Sequence, residues 1–235
     1  METHPDKLPV IYVFSDVMSL SDEMIDRAKR SSVSWLSSAF EKRSLKGLKH
    51  SLSAALLLLY ASQRSFGMRP ETIEVSRHDH GKPFFSSFSD RHFNLSHSSG
   101  TAVCITAAYP VGIDIEFYRQ VSSAVARRVC TENEINSILA SDDGNWQFLR
   151  FWTLKESYLK ATGSGMSFPM KNIEFSLPSQ QEGSICASMP GRFFQCERSG
   201  ALISASALIS DSDASVFSPE LVTVTLDELE PYMNI

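Results

Sequence analysis

Hydrophobic and polar positions alternate between strand-like and helical spacing along the first third of the chain. Residues 8–17, LPVIYVFSDV, are rich in β-branched and aromatic side chains, which predicts a buried strand. Residues 21–30 have helical spacing after a Ser-Asp pair that can cap a helix. A longer helix is predicted over residues 40–67, with Gly67 at its end. Its apolar side contains Leu45, Leu48, Leu52, Ala55, Leu56 and Leu59.

Strand-like patterns return between residues 92 and 117, where three apolar runs are separated by turn residues. This spacing predicts an antiparallel meander. Thr131 and Glu134 have the spacing of a capping box, and residues 145–162 form a further helical pattern that ends at the sequence TGSG. The succession of elements predicts an α+β fold in two halves of similar size, with a boundary between residues 107 and 111.

The net charge, the apolar runs and the cysteines indicate which partners and which cellular compartment to expect. The chain has 235 residues and a formal net charge of -5, so neither nucleic acid nor an anionic membrane is expected as its main partner. No signal-peptide pattern is visible, and the longest apolar run, residues 54–61, is far shorter than the roughly 20 residues that span a bilayer. Four cysteines without zinc or disulfide spacing favour a cytoplasmic protein with reduced thiols. They are Cys104, Cys130, Cys186 and Cys196.

The run VGIDIEFYR, residues 111–119, contains two carboxylates in an otherwise apolar strand. Side chains alternate along a strand, so Asp114 and Glu116 share a face with Gly112, and the Cα atoms of the two acids lie about 7 Å apart. The carboxylates repel each other unless a cation is bound, and oxygen ligands favour a hard cation such as Mg²⁺. For this motif by itself, the alternative is a solvent-exposed edge strand.

The helix predicted over residues 145–162 supplies a third carboxylate. Glu156 stands at the margin of the apolar stripe of this helix, where burial raises the pKa of a carboxyl group unless a cation or a hydrogen-bond donor compensates. Lys160 follows one helical turn later on the same side. The alternative is an exposed Glu-Lys pair that contributes roughly a few tenths of a kcal/mol. The stripe consists of Phe148, Phe151, Trp152, Tyr158 and Leu159.

Basic and polar residues gather in three segments of the first half, although the protein is acidic overall. Ammonium, guanidinium, hydroxyl and imidazole groups beside turn amides can bind phosphate. The alternatives are a solvated helix face, an ordinary turn and a turn-capping serine with a surface histidine. The helical segment contains Lys42, Arg43, Lys46, Lys49 and His50, the segment RHDHGKPFF contains Arg77, Gly81, Lys82 and Pro83, and the segment FNLSHSSG contains Asn94, Ser96 and His97.

Two other chemistries are disfavoured in the same region. Four histidines, at positions 78, 80, 92 and 97, invite a transition-metal site, but the sequence RHDHG is typical of a loop and no helical pair of ligands completes it. Ser96 and His97 are adjacent on a predicted strand and so point to opposite faces, and no G-x-S-x-G elbow accompanies them. A hydrolase built on these two residues is therefore not expected.

Taken together and in this order, four segments resemble the Sfp-type 4′-phosphopantetheinyl transferases. They are GKP at 81–83, FNLSHS at 93–98, GIDIE at 112–116 and FWTLKESYLKATGSGM at 151–166. The resemblance implies transfer of the phosphopantetheine arm of coenzyme A to a serine of an apo carrier protein, with release of adenosine 3′,5′-bisphosphate. It also implies an α+β pseudodimer of two similar subdomains with the active site in the cleft between them.

The resemblance assigns roles to individual residues. Asp114, Glu116 and Glu156 match the Mg²⁺-binding acids, Glu156 also matches the general base, and Lys160 matches a pyrophosphate contact. Asp114, Glu156 and Lys160 are therefore the predicted catalytic residues. Ser96 with His97 matches the contact to the 3′-phosphate of coenzyme A. The full set of predicted coenzyme A contacts is Lys46, Lys49, Arg77, Gly81, Lys82, Pro83, Asn94, Ser96, His97 and Lys160.

The resemblance also predicts subdomains at residues 1–108 and 109–235 and a cytoplasmic monomer of the holo-[acyl-carrier-protein] synthase type. Its partner is an apo acyl or peptidyl carrier protein or a carrier domain, which the sequence does not specify further. The N-terminal half departs from the family, since Ser53 and Ala54 stand where a "GR" or "GD" pair is usual. A non-catalytic binding module and another Mg²⁺-dependent phosphotransferase are the rival functions. Intact acids and lysines favour the transferase.

Overall fold

The computed structural model describes residues 9–41, 44–165, 168–178, 185–209 and 217–235. They divide into two compact units, one formed by residues 1–109 with 218–235 and the other by residues 110–217. Lys42 and Arg43, which belong to the predicted basic face, and Met166 of the predicted family motif lie outside the described residues. No helix in the described ranges is both long and apolar enough to cross a membrane.

The helices and strands alternate along the chain. Those of the first unit up to residue 109 are β1 (Val10–Phe14), α1 (Asp22–Lys29), α2 (Ser34–Ser37), α3 (Leu45–Phe66), β2 (Val75–Arg77), β3 (Pro83–Phe85), β4 (His92–Ser98) and β5 (Thr101–Ala107). Those of the second unit are β6 (Val111–Phe117), α4 (Ser123–Val129), α5 (Glu132–Leu139), α6 (Gly144–Thr162), β7 (Phe175–Ser176), β8 (Cys186–Ala187), β9 (Arg192–Arg198) and β10 (Ala201–Ala207). The chain then returns to the first unit as β11 (Glu220–Thr223) and α7 (Leu226–Leu229).

In the first unit, α3 packs against a four-stranded sheet with the strand order β11-β1-β5-β4. The helix begins later than the predicted residue 40, because the side chain of Ser44 caps it by accepting a hydrogen bond from the Gly47 amide. It ends as predicted at Gly67, whose φ of 65° is the left-handed conformation that glycine adopts without strain. Leu45 in the first turn is exposed, and continuous burial runs from Leu52 to Ser62.

In the second unit, α6 crosses a three-stranded sheet with the order β6-β10-β9. A Cβ atom on Gly112 of β6 would lie 2.0 Å from the Ser157 carbonyl oxygen of α6, so the helix backbone passes directly over this glycine. Hydroxyl groups link the two layers, since Ser157 bonds to Ser206 of β10 at 2.7 Å. The predicted strip of Gly112, Asp114 and Glu116 is therefore covered by α6 at its glycine end.

The predicted meander is wrong in its third strand. β4 and β5 form the expected antiparallel hairpin, but β6 pairs with β10 and not with β5. Both edges of β5 are already occupied, one by β4 and the other by β1, so no edge remains for β6. Three strand-like runs in succession indicate strands, but they do not determine which edge each strand pairs with.

The last residues of the chain belong to the first unit, whereas the predicted division at residues 1–108 and 109–235 placed them in the second. β11 pairs in parallel with β1, and the Tyr60 hydroxyl of α3 donates to the Glu228 carboxylate at 2.8 Å. Arg27 and Glu230 form an ion pair at 2.6 Å in the same unit. Residues 218–235 thus complete the first unit, because β1 has an open sheet edge that β11 fills.

Each unit, described by itself, contains the same succession of a strand, a long helix and a hairpin. The hairpins β4–β5 and β9–β10 both join seven-residue strands through a Ser-Gly loop. All four loop residues have positive φ, namely Ser99, Gly100, Ser199 and Gly200. In each unit the second hairpin strand also pairs with the strand before the long helix. The pseudodimer itself stays a prediction.

Candidate active site

Asp114 lies on β6 at the point where α6 covers the strand, and it is only 6% exposed. Its Oδ1 atom accepts a hydrogen bond from the Lys160 ammonium group at 2.7 Å. The same ammonium group donates to the Ile113 carbonyl oxygen at 3.1 Å. Lys160 stands in the last turn of α6, so the close approach of helix and strand brings this predicted pair together.

Glu116 lies two residues further along β6 and is half-buried. Its carboxylate is 3.6 Å from the Arg119 guanidinium group, which also lies 5.8 Å from the centre of the Trp152 ring of α6. Arg119 was not predicted as part of the site. An ion pair of this length at a partly exposed position holds the carboxylate weakly.

Glu156 is half-buried on α6, and its carboxyl group has a raised pKa. Burial is the largest cause, because an ionised carboxylate loses solvation there. The negative charge of Asp114 raises the pKa further, Lys160 lowers it, and Glu116 adds a smaller increase. The charges of Asp114 and Glu116 therefore act on Glu156. The Glu156 carboxyl group holds its proton more tightly than an isolated glutamate does.

The chemistry of this donor set fits the predicted Mg²⁺, since three carboxylates supply only oxygen ligands and repel one another without a cation. Within the described ranges, no three His, Cys, Asp or Glu side chains lie close enough together to hold a metal ion as they stand. The positive group next to Asp114 is instead the Lys160 ammonium. The acids thus have the right chemistry but do not form a preassembled metal cage.

A second lysine of the same motif has a different role. Lys155 is completely buried and forms a 2.6 Å ion pair with Glu134 of α5, which is also completely buried. The Lys155 ammonium also donates to the carbonyl oxygens of Val129 and Met170, at 3.0 and 3.1 Å. Glu134 accepts hydrogen bonds from two backbone amides besides. This pair anchors α6 to the segments on either side of it.

Sequence reasoning recognised Glu134 only as a capping residue and did not single out Lys155. A signal was present, because Lys155 falls four residues after Phe151 and three before Tyr158, on the buried stripe of α6. A lysine in such a stripe requires a buried partner. The identity of that partner was not accessible, since α5 is a separate element.

The GKP segment of the first unit forms the tip of the β2–β3 hairpin. Gly81 has a φ of 83°, and its carbonyl oxygen accepts a hydrogen bond from the Arg77 guanidinium at 3.0 Å. The Lys82 carbonyl accepts from the His78 amide at 3.0 Å, and Pro83 begins β3. Burial lowers the pKa of the Lys82 ammonium to about 8. The structure therefore brings these four predicted contacts together.

The FNLSHS segment is strand β4. Asn94 and Ser96 are buried, whereas His97 is exposed, as expected for alternating faces. On α3, Lys46 is exposed and the Lys49 ammonium donates to the Met18 carbonyl at 3.0 Å. Ser53 and Ala54, which stand where the family usually has a "GR" or "GD" pair, are buried. His50, named in the sequence only as a neighbour of the lysines, is buried as well.

Comparisons with known proteins bear directly on the second unit. Residues 110–209 match the model of the 4′-phosphopantetheinyl transferase superfamily. The similarity to this superfamily thus covers 100 of the 235 residues. The matched region includes the predicted acids, Lys160 and the Lys155–Glu134 pair, whereas the GKP and FNLSHS segments lie before it.

Individual members of the superfamily show the extent of the similarity. The 4′-phosphopantetheinyl transferase Sfp of Bacillus subtilis (strain 168) is 32% identical over 135 residues, which cover 57% of this chain and 59% of that protein. The 4′-phosphopantetheinyl transferase gsp of Aneurinibacillus migulanus is 36% identical over 132 residues, covering 55% of this chain and 54% of that protein. The match thus spans less than two thirds of the length of these curated relatives.

Among solved structures, the holo-[acyl-carrier-protein] synthase of Thermotoga maritima is similar over 43% of this chain and 63% of that chain. The identity is 21% and the TM-score is 0.37.

Proposed function

We propose that this chain transfers the 4′-phosphopantetheine group of coenzyme A to a serine hydroxyl of an apo acyl or peptidyl carrier protein and releases adenosine 3′,5′-bisphosphate. The observation that carries the proposal is the constellation on β6 and α6. There Asp114 holds the Lys160 ammonium at 2.7 Å, and the pKa of Glu156 is raised beside them. The similarity of residues 110–209 to the 4′-phosphopantetheinyl transferase superfamily supports the same reaction.

Glu156 is the proposed general base. In the transfer, the carrier serine oxygen forms a bond to the phosphorus that bears the pantetheine arm, and the bond from that phosphorus to the leaving bisphosphate breaks. The serine proton passes to the Glu156 carboxylate, directly or through water. A carboxyl group whose pKa is raised toward neutrality is a better base for this step than an ordinary glutamate.

Charge compensation is the second requirement, because the pyrophosphate of coenzyme A and the leaving bisphosphate are both anionic. Asp114, Glu116 and Glu156 are the residues that would hold Mg²⁺, which supplies positive charge to phosphate oxygens when bound. Lys160 adds an ammonium group next to Asp114. Asp114 in turn orients the lysine through their hydrogen bond.

The residues proposed to bind the nucleotide end of coenzyme A belong to the first unit. Cationic side chains at Lys46, Lys49, Arg77 and Lys82 suit phosphate groups, as does the exposed imidazole of His97. Gly81 at the hairpin tip, with its positive φ and no side chain, permits a close approach of the backbone to a ligand.

Mass spectrometry of intact carriers tests the proposal. A panel of purified apo carriers from fatty-acid, polyketide and nonribosomal-peptide synthases is incubated with the protein, coenzyme A and Mg²⁺, and each spectrum is scored for the gain of one phosphopantetheine group. Glu156→Gln should abolish the gain, because an amide does not accept the serine proton. Glu197→Gln, a matched change of an exposed glutamate on β9, should leave it intact.

Two results would contradict the proposal: no carrier in the panel gains mass, or Glu156→Gln labels at the wild-type rate. A thermal-shift comparison of coenzyme A with ATP separates the remaining alternatives. Stabilisation by ATP alone would point to another phosphotransferase, whereas stabilisation by coenzyme A without any transfer would point to a binding module.

A further inference from the structure

His50 is a buried histidine in the basic first half of α3, with 5% of its surface exposed. Each of its ring nitrogens has a backbone partner. Nδ1 lies 2.8 Å from the Lys46 carbonyl oxygen, and Nε2 accepts a hydrogen bond from the Gly100 amide at 3.2 Å. A carbonyl only accepts and an amide only donates, so Nδ1 carries the hydrogen and Nε2 does not. The ring is therefore neutral.

Gly100 is the second residue of the two-residue loop that joins β4 to β5. Both loop residues have positive φ, 42° at Ser99 and 88° at Gly100, which is the signature of a type I′ turn. The Gly100 amide lies outside the β4–β5 ladder, so it needs a partner from elsewhere, and His50 provides one. The Gly100 carbonyl accepts from the Val17 amide at 3.1 Å. Both backbone polar groups of Gly100, the amide and the carbonyl, thus have hydrogen-bond partners outside the hairpin.

His50 also contacts the same hairpin through a side chain. The rings of His50 and His97 are 5.1 Å apart between centroids and inclined by 51°. His97 stands three residues before Gly100 on β4, with Ser96 next to it. The buried His50 ring thus packs against the His97 ring. One buried side chain therefore contacts both the loop and the exposed imidazole of this hairpin.

We propose that His50 is a positioning residue for coenzyme A, which fixes the β4–β5 hairpin so that Ser96 and His97 are aimed at the 3′-phosphate. This inference rests on the proposed function, which assigns those two residues to that phosphate. His50 itself does not touch the ligand in this account. It acts through the Gly100 amide and the His97 ring.

The test compares two ligands that differ only in the group concerned. Binding of coenzyme A and of 3′-dephospho-coenzyme A is measured by calorimetry for the full-length wild type, His50→Leu and His50→Gln. His50→Leu removes the acceptor for the Gly100 amide, so coenzyme A should bind about fivefold more weakly, the loss expected for one hydrogen-bonded contact. Affinity for 3′-dephospho-coenzyme A should stay within about twofold of the wild type, since that ligand lacks the phosphate.

His50→Gln is the conservative control. The glutamine oxygen can replace Nε2 as the acceptor for Gly100, so this variant should bind coenzyme A as the wild type does. In a His97→Ala background, His50→Leu should cause no further loss, because the two residues act on one contact. Hydrogen exchange tests the hydrogen bond itself. The Gly100 amide should exchange faster in His50→Leu than in the wild type and in His50→Gln.

The outcomes separate this inference from the function on which it rests. If the wild type binds neither ligand, the proposed function fails. If the wild type binds coenzyme A but His50→Leu weakens both ligands equally, or neither, the positioning role is wrong while the function stands. Should His50→Leu not fold, His50→Asn takes its place, since its shorter side chain keeps a partner for Lys46 but does not reach Gly100. Equal coenzyme A affinity of the Asn and Gln variants then overturns the inference.

Discussion

Ionisation of the Glu156 carboxyl group is less favourable in the folded protein than in the unfolded chain. Burial raises its pKa, and the neighbouring charge of Asp114 raises it further. A group whose pKa is higher in the folded than in the unfolded state stabilises the fold in its protonated form. That contribution is complete below the unfolded pKa and is lost as the pH rises through the folded pKa. At a pH above the folded pKa, ionised Glu156 therefore lowers the stability of the fold.

We expect Glu156→Gln to be more stable than the wild type at about pH 7 in the presence of a chelator, because the neutral amide has no charge to desolvate. The difference should shrink toward about pH 4, near the unfolded pKa of glutamate, where the wild-type carboxyl group is protonated too. Urea unfolding midpoints at both pH values measure this. Glu197→Gln, at an exposed position, is the control that should show no such pH-dependent gain. A less stable Glu156→Gln at neutral pH would contradict the electrostatic account.

The pKa of Lys82 is shifted in the opposite direction to that of Glu156, and the consequence concerns ligand binding. Its pKa is lowered to about 8 by burial, so a rise in pH through this value removes the positive charge proposed to contact coenzyme A. Coenzyme A should bind more weakly to the wild type at about pH 9 than at about pH 7, whereas Lys82→Arg should lose less affinity, because arginine stays protonated. Calorimetric titrations at the two pH values decide this. An identical decline in both proteins would show that another group is responsible.

Predictions for single residues from the sequence succeeded where a local rule applies. Strand alternation put Asp114 and Glu116 on one face, and helical spacing put Glu156 and Lys160 on one side of α6. The Lys155–Glu134 ion pair could not be found in this way, because its two members lie on different helices. The bridge from His50 to Gly100 joins residues fifty positions apart, and no local pattern encodes it.

The packing of α6 on β6 depends on one glycine. A Cβ atom at Gly112 would lie 2.0 Å from the Ser157 carbonyl oxygen and 2.4 Å from the Ala161 amide nitrogen. Both are backbone atoms, so no side-chain rotation can relieve the contact. The helix must move away from the strand to admit even a methyl group, and the same helix carries Glu156 and Lys160.

Gly112→Ala should therefore lower the free energy of unfolding by about 3 kcal/mol or more, at the upper end of the cost of overpacking. It should also lengthen the distance between Asp114 and Lys160. Gly47→Ala in the first turn of α3 is a control for the added methyl group and should change the free energy of unfolding by less than about 1 kcal/mol, the difference between glycine and alanine in a helix interior. Chemical denaturation of both variants measures the effect. Equal stability of Gly112→Ala and the wild type would disprove the close packing.

Elements with strong local signals were predicted well, and their pairing was not. The buried strand β1, the Ser-capped helix α1, the capping box at Thr131 and Glu134, and the stop of α6 at Gly163 are confirmed. The pairing of β6 with β10 depends on a strand about ninety residues away, which a search for neighbouring runs does not reach. Which strand pairs with a given sheet edge depends on all the strands of the chain, including those distant in sequence.

The order of elements along the chain does not indicate that the first unit is completed by the last residues of the sequence. Its sheet is completed by β11, which follows all of the second unit in sequence. Leu229 and Met233, which come after β11, are completely buried in the same hydrophobic core as Leu56 of α3. The last eighteen residues thus contribute to the stability of a unit that begins at the other end of the chain.

Leu229→Ala should accordingly destabilise the first unit by about 2–5 kcal/mol, the usual cost of a cavity left by a buried leucine. Native-state hydrogen exchange should show the loss of protection in β1, β5 and α3, because these elements share a core with Leu229. Leu139→Ala, the same substitution at a side chain that is 78% exposed, should leave exchange unchanged. If Leu229→Ala increased exchange in β6, β9 and β10 and left β1 protected, residues 218–235 would belong with the second unit, as the division at residue 109 predicted.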